Sequence, residues 1–157
     1  MNILGMDPGI SGGVAVVDSR TMRITTGFRM PVFKEGKKKA VSPNHLARLT
    51  PVPVHHAVVE RVHAMPGQGV SSTFSFGRSF GTAVAVASLC CSNDVILVTP
   101  QMWKAHFGLR GTGKGDSIVR AKEIFGSSYV WKYLADDGIA EAALMAAWLI
   151  DTHSEIW

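Results

Sequence analysis

The sequence predicts an α/β fold: a five-stranded mixed sheet whose first three strands are antiparallel, flanked by helices. Three observations lead there. Residues 1–30 hold three short runs rich in β-branched residues, joined by turn-forming segments. Two further short apolar runs, "HAVVE" at 56–60 and "DVILVTP" later on, are separated by a long helical pattern. The chain then closes on two more helical patterns. Strands followed by strand–helix–strand crossovers make a mixed sheet with helices on its faces.

"NILGMD" reads as a strand buried on both faces, and "GGVAVVD" as its hairpin partner after a glycine-rich turn. "RITTGFRM" is a third strand, its alternation weakened by Gly27. A polar, basic loop follows. "SPNHLARLT" is a helix with Ser42 as N-cap and Pro43 at the first helical position. "HAVVE" is the fourth strand. The loop "AMPGQGVSS" leads into a long helix opened by Ser71 or Ser72 and running to about Leu89. "DVILVTP" is the fifth strand, stopped by Pro100. "KGDSIVRAKEIFG" is an amphipathic helix ended by Gly126, and "DDGIAEAALMAAWLI" is an Ala-rich final helix. No repeat, low-complexity tract or linker divides the chain, so residues 1–157 are expected to form one domain. Gly77, Gly81 and Ala85 fall four apart on the long helix. Such a row suits close packing on the sheet, which we favour, or contact with a second helix in a dimer.

Charged residues make up 18% and hydrophobic residues 46%, which excludes a disordered chain. No apolar stretch approaches the roughly 20 residues that span a bilayer. "MNILGMDPG" lacks the basic flank and cleavage site of a signal peptide. The two cysteines, Cys90 and Cys91, are neighbours and supply no disulfide framework. The expected location is cytoplasmic, in a bacterial or phage-infected host cell. Neither these cysteines nor His55 and His56 have a spacing typical of zinc ligands. Net charge is +4, which permits a polyanionic partner. The basic segment "KEGKKK" (34–39) contrasts with the acidic Asp136, Asp137, Glu141, Asp151 and Glu155 near the end. On charge alone, solvated faces explain both equally well.

Asp7 interrupts an apolar run and is followed by proline and three nearby glycines, Gly9, Gly12 and Gly13. A turn alone needs no carboxylate there. Glu60 ends the fourth strand, and a fourth strand lying parallel to the first brings the two acids together. Asp137 and Glu141, at i and i+4, stack on one face of the last helix. Asp136 is turned about 100° away and is the weaker partner of Glu141. Taken singly, an N-cap role for Asp136 or Asp137 and an exposed strand-end role for Glu60 explain each residue. Taken together, four carboxylates in one cleft repel by about 4 kcal/mol per pair at 4 Å and an effective dielectric of 20. Such a cluster persists with bound cations or raised pKa values. Hard oxygen ligands suit Mg2+ or Mn2+. Two such ions about 4 Å apart activate a water and stabilise the leaving oxygen of a phosphodiester.

The chain resembles the RuvC-type Holliday junction resolvases of the ribonuclease H-like superfamily, particularly their phage and prophage branch. The resemblance rests on "ILGMDPGISGGVAVVD", "VVERVHAMPGQGVSSTFSFGRSFG", "VTPQMWKAHFGL", "KGDSIVRAKEIF" and "DDGIAEAALMAAWL", in the family's order and covering most of the chain. It implies a ribonuclease H-like fold and a metal-dependent endonuclease that acts as a homodimer on four-way and other branched DNA, with two Mg2+ or Mn2+ ions per site and no nucleotide cofactor. By motif, Asp7, Glu60 and Glu141 match catalytic, metal-binding acids. Bacterial members carry the third acid where this chain has Gly138, and Asp137 is the natural substitute. Lys104 in "PQMWK" and Lys114 in "KGDS" match lysines near the scissile phosphate. Where bacterial members tend to place a wedging aromatic, this chain has His63, followed by Met65 and Pro66. Candidate DNA contacts are Lys37, Lys38, Lys39, Arg61, His63, Arg78, Lys104 and Lys114. Three alternatives stand beside this one: an actin-like phosphate or ATP binder, a junction-binding protein without catalysis, and a nuclease for structured RNA or replication forks.

Overall fold

The computed structural model describes residues 1–64, 66–113 and 115–153. The first strand, β1 (Asn2–Met6), pairs antiparallel with β2 (Gly13–Asp18), which pairs antiparallel with β3 (Arg23–Arg29). On its other side β1 pairs in parallel with β6 (His56–Glu60), and β6 in parallel with β7 (Val95–Val98). The sheet order is β3-β2-β1-β6-β7, the mixed sheet that the sequence predicts. Met6 is opposite Val59, so Asp7 and Glu60 leave the sheet side by side.

Side chains of successive strand residues point to opposite faces. Ile3, Ala15, Val17 and Val58 therefore enter one core, and Leu4, Met6, Val14, Val16 and Val59 the other. The first face is covered by α5 (Asp137–Thr152), with α4 (Asp116–Phe125) packed on it. The second is covered by α1 (Pro43–Leu49) and α2 (Val70–Cys90). From Gly138 to Leu149, α5 is buried except at Glu141. Its alanines bring the helix axis close to the sheet. At Gly5 no side chain fits, because Ala142 O of α5 occupies the space.

Three features differ from the sequence expectation. The basic loop is a hairpin of β4 (Val32–Glu35) and β5 (Lys38–Val41), turning at Gly36 with φ +61°. A Lys-rich run conceals strand alternation, since no apolar residue stands between Phe33 and Ala40. Pro100 both stops β7 and starts a short helix, α3 (Pro100–His106), whose N-cap Thr99 accepts a hydrogen bond from the Met102 N–H. The long helix opens one residue before Ser71, after Gly69.

The row Gly77, Gly81 and Ala85 does not pack on the sheet. Ser79, Ala83, Val86, Ala87 and Cys90 form the buried face of α2. The small residues are exposed, and a methyl group on Gly77 or Gly81 would meet nothing within 4 Å. Val70, Phe74 and Leu89 are also exposed, the last at 83%. Among the described residues no helix is long and apolar enough to cross a membrane.

Candidate active site

Four elements deliver the predicted residues to one end of the sheet. The turn after β1 carries Asp7, the end of β6 carries Glu60, the first turns of α5 carry Asp137 and Glu141, and α3 carries Lys104. The loop after Asp7 is shaped by glycine. Asp7 N–H donates to Gly13 O at 2.9 Å, and Gly9 N–H to Asp7 Oδ1 at 3.3 Å. Gly12 lies so close that a methyl group there would sit 2.8 Å from Asp7 Cγ. Gly12 also forms a parallel bridge with Gly138 of α5. The glycines that follow Asp7 thus let the start of α5 press against its loop.

Asp7, Glu60 and Glu141 act on one another. Burial pushes the Asp7 carboxyl up to about 7, helped by the charges of Glu60 and Glu141 and opposed by the Gly9 N–H and Lys104. Burial also raises the Glu60 pKa. A hydrogen bond from the Trp103 indole opposes this, the Glu141 charge adds to it, and Lys104 opposes it again. Burial disfavours the Lys104 ammonium, but Glu141, then Glu60 and Asp137, outweigh that and raise its pKa. Lys104 Nζ stands 3.0 Å from Glu141 Oε1. The remaining acids are steadied from α4. Gly115 N–H donates to Asp137 Oδ1 at 3.3 Å, and Ser117 Oγ to Glu141 Oε1 at 3.3 Å.

Asp136 and Asp137 differ in their partners. Asp136 is buried and its oxygens are committed. Oδ1 accepts from Arg29 Nε and Nη2 at 2.9 and 2.7 Å, and Oδ2 from the backbone N–H groups of Lys132 and Tyr133. Burial would raise its pKa, but Arg29 and those amides hold it below the usual carboxylate range. Asp136 ties β3 to the start of α5. Asp137 instead lies near enough to Lys104 for its charge to act there.

The donor set is oxygen-only and negative, which fits a hard divalent cation. Among the described residues, however, no three His, Cys, Asp or Glu side chains gather closely enough to hold one ion. Lys104 occupies the position of counter-charge at Glu141. The residues fit a divalent ion by chemistry, and their like charges already interact. Closing them on one ion requires side-chain movement. His55 Nδ1 accepts from Asn2 N–H, and Cys91 Sγ lies against His55 O.

Among the candidate DNA contacts, Lys37 is exposed at the hairpin turn. Lys38 Nζ donates to Ser71 Oγ, and Lys39 stands opposite Lys34 across the hairpin. Arg78 forms a two-pronged ion pair with Glu35, with contacts of 3.0 and 2.6 Å. Arg61 and His63 are exposed in the loop after β6, and His63 lines a pocket of about 190 Å3 with Phe76 and Phe80. Lys114 lies outside the described residues, as does Met65. A larger groove, about 380 Å3, runs between β3 and the segment before α5 and is lined by Arg29, Tyr129, Tyr133 and Asp136. It holds none of the interacting acids. The acid cluster, where the carboxylates act on one another, is therefore the better candidate site.

Sequence reasoning missed Trp103, Arg29 and Ser117. The Thr99–Pro100 pair marks a helix start, and one turn further on stands Trp103; that signal was legible. Nothing local marks Arg29 as the partner of Asp136, 107 positions away.

The sheet order and the helices on both faces are those of the ribonuclease H-like fold as it occurs in RuvC. A structure described as T. thermophilus RuvC in complex with Holliday junction substrate is similar over 96% of both chains, with a TM-score of 0.62 and 15% identity. A second, described as Thermus thermophilus RuvC structure, matches over 96% of both chains with a TM-score of 0.56 and 14% identity. No protein-family model and no curated protein matches the chain.

Proposed function

We propose that this chain is a divalent-metal-dependent endonuclease of the RuvC type that resolves four-way DNA junctions, and other branched DNA, by paired nicks. One observation carries the proposal: in a RuvC-like fold, Asp7, Glu60 and Glu141 meet at one end of the sheet, where burial first and then the charges of Glu60 and Glu141 raise the Asp7 pKa to about 7. Asp7, Glu60, Asp137 and Glu141 would hold Mg2+ or Mn2+, two ions per site, which supply an activated water and charge stabilisation for the departing oxygen. Lys104 guards this cleft in the metal-free protein and turns to the phosphate when substrate enters. There its ammonium stabilises the charge that builds on the phosphoryl oxygens. Lys114 is assigned the same role from its motif.

The basic hairpin supplies sequence-independent phosphate contacts through Lys37, Lys38 and Lys39, with Arg78 beside it and Arg61 and His63 in the loop after Glu60. Like charges directly opposed across a strand pair are unfavourable, and Lys34 opposite Lys39 is eased by a polyanion. The outward small-residue face of α2 supports a homodimer, whose two-fold axis suits paired nicks on opposed strands. Residues 1–157 act as one nuclease domain, without a nucleotide cofactor, in the cytoplasm of a bacterial or phage-infected host cell.

The test incubates the protein and Asp7→Asn with labelled four-way junctions, forks and duplex, with and without Mg2+. Both proteins bind the junction, and only the unaltered one nicks it, symmetrically and only with Mg2+. Cleavage that survives Asp7→Asn rejects the site.

A further inference from the structure

We propose that Trp103 is a positioning residue, which fixes the Glu60 carboxylate for metal binding by donating its indole N–H to it. The proposal rests on the metal-dependent reading of the acid cluster. Trp103 Nε1 lies 2.9 Å from Glu60 Oε1, and the Trp103 side chain is fully buried. An indole N–H only donates, so it favours the ionised carboxylate that a metal ion requires. A buried indole usually pairs with an acceptor, and a backbone carbonyl would satisfy it as well. Here the acceptor is a carboxylate of the cleft. Oε1 is fixed, while Oε2 takes no hydrogen bond among the described residues.

The other three acids each have a different anchor. Asp7 is held by the Gly9 N–H, Asp137 by the Gly115 N–H, and Glu141 by Lys104 and Ser117. Among the described residues Glu60 has Trp103 alone. Glutamate is also the more flexible acid, with three side-chain torsions to restrain. The chain achieves this through α3. Thr99 and Pro100 start that helix directly after β7, whose Val98 is paired with Glu60. One turn later Trp103 points back beneath Glu60, and the next residue, Lys104, reaches Glu141. Lys104 Nζ also lies 5.0 Å from the Trp103 ring centroid. A single short helix thus sets one anchor on each of two acids.

Partners that orient metal ligands typically contribute about 10- to 100-fold to metal affinity or activity. Trp103→Phe keeps most of the ring packing and removes the donor. The test is a calorimetric Mn2+ titration of the DNA-free protein, Trp103→Phe and Trp131→Phe, followed by junction-nicking rates across Mn2+ concentrations. Trp103→Phe is expected to bind Mn2+ about tenfold or more weakly, to nick slowly with unchanged KM for the junction, and to recover at high Mn2+. Trp131→Phe, which removes an indole N–H outside the cleft that makes no hydrogen bond among the described residues, matches the unaltered protein. Wild-type Mn2+ affinity in Trp103→Phe overturns the proposal while leaving the nuclease reading intact. No Mn2+ binding by the unaltered protein sinks both. A second measurement serves if Trp103→Phe misfolds: the Trp103 indole N–H resonance in the otherwise intact protein. It moves on adding Mg2+ and in Glu60→Gln, and a resonance indifferent to Glu60→Gln overturns the assignment.

Discussion

Gly12 and Gly138 meet backbone to backbone: they pair as a parallel bridge, and a methyl group on Gly138 would sit 2.5 Å from the Gly12 carbonyl carbon. This contact sets the distance between the Asp7 loop and the start of α5, and so between Asp7 and Glu141. It also explains why no acid stands at position 138. A carboxylate there would force the helix away from the loop, whereas Asp137 points clear of the bridge.

Gly138→Ala is therefore expected to overpack the contact, with a loss of about 1–3 kcal/mol in stability. Because the displaced element carries Asp137 and Glu141, nicking falls by more than the stability loss explains, roughly 100-fold for a 1 Å misplacement. Urea unfolding and single-turnover nicking of one preparation separate the two effects.

Asp7 makes the metal-free protein less stable as pH rises. Its folded pKa of about 7 lies above the ordinary 3.8, so between these values the folded state holds a proton that the unfolded chain releases. Stability from this group is present below about pH 4 and is lost as pH climbs to about 7. Asp7→Asn removes the penalty. It should be more stable than the unaltered protein at pH 8 by about 2–4 kcal/mol and equal to it near pH 4. Thermal unfolding in chelator across pH 4–8 measures this. Mg2+ added at pH 8 should then stabilise the unaltered protein and leave Asp7→Asn unchanged.

Lys104 has two tasks, and Lys104→Met separates them. Losing a positive donor at the phosphate is expected to lower kcat by roughly 100- to 1,000-fold. Freeing Glu141 removes a competitor for the metal ion, so Mn2+ affinity without DNA should rise. A parallel fall in both would mean that Lys104 only holds the cleft together.

The hairpin lysines should affect binding and not chemistry. Each phosphate contact contributes about 0.9 to the slope of log K against log salt. Lys37→Ala with Lys39→Ala should flatten that slope by about 2 for junction and duplex alike, leaving the single-turnover rate at saturation unchanged. Fluorescence anisotropy between low and moderate salt checks it. An unchanged slope would leave the hairpin a solvated surface.

Much of this was legible because the relevant signals are local. Alternating strands, the Pro43 helix start and the i, i+4 spacing of Asp137 and Glu141 need only a few neighbouring residues. The parallel pairing of β1 with β6 followed from strand order, and it aligned Asp7 with Glu60. What was not legible depends on distant partners. Arg29 removes Asp136 from the cleft across the whole chain, and the exposure of Gly77 and Gly81 depends on which face of α2 meets the sheet. The β4–β5 hairpin hid behind its lysines, because only its base, at Ala40 and Val41, is buried, while its tip is held by Glu35–Arg78 and Lys38–Ser71 contacts.

The most direct test of the central claim, that acids from separate elements serve one metal-dependent reaction, compares Glu60→Gln and Glu141→Gln on a labelled four-way junction at saturating Mn2+. Both variants are expected to bind the junction as the unaltered protein does, and neither to nick it. Nicking at the unaltered rate by either variant would contradict it.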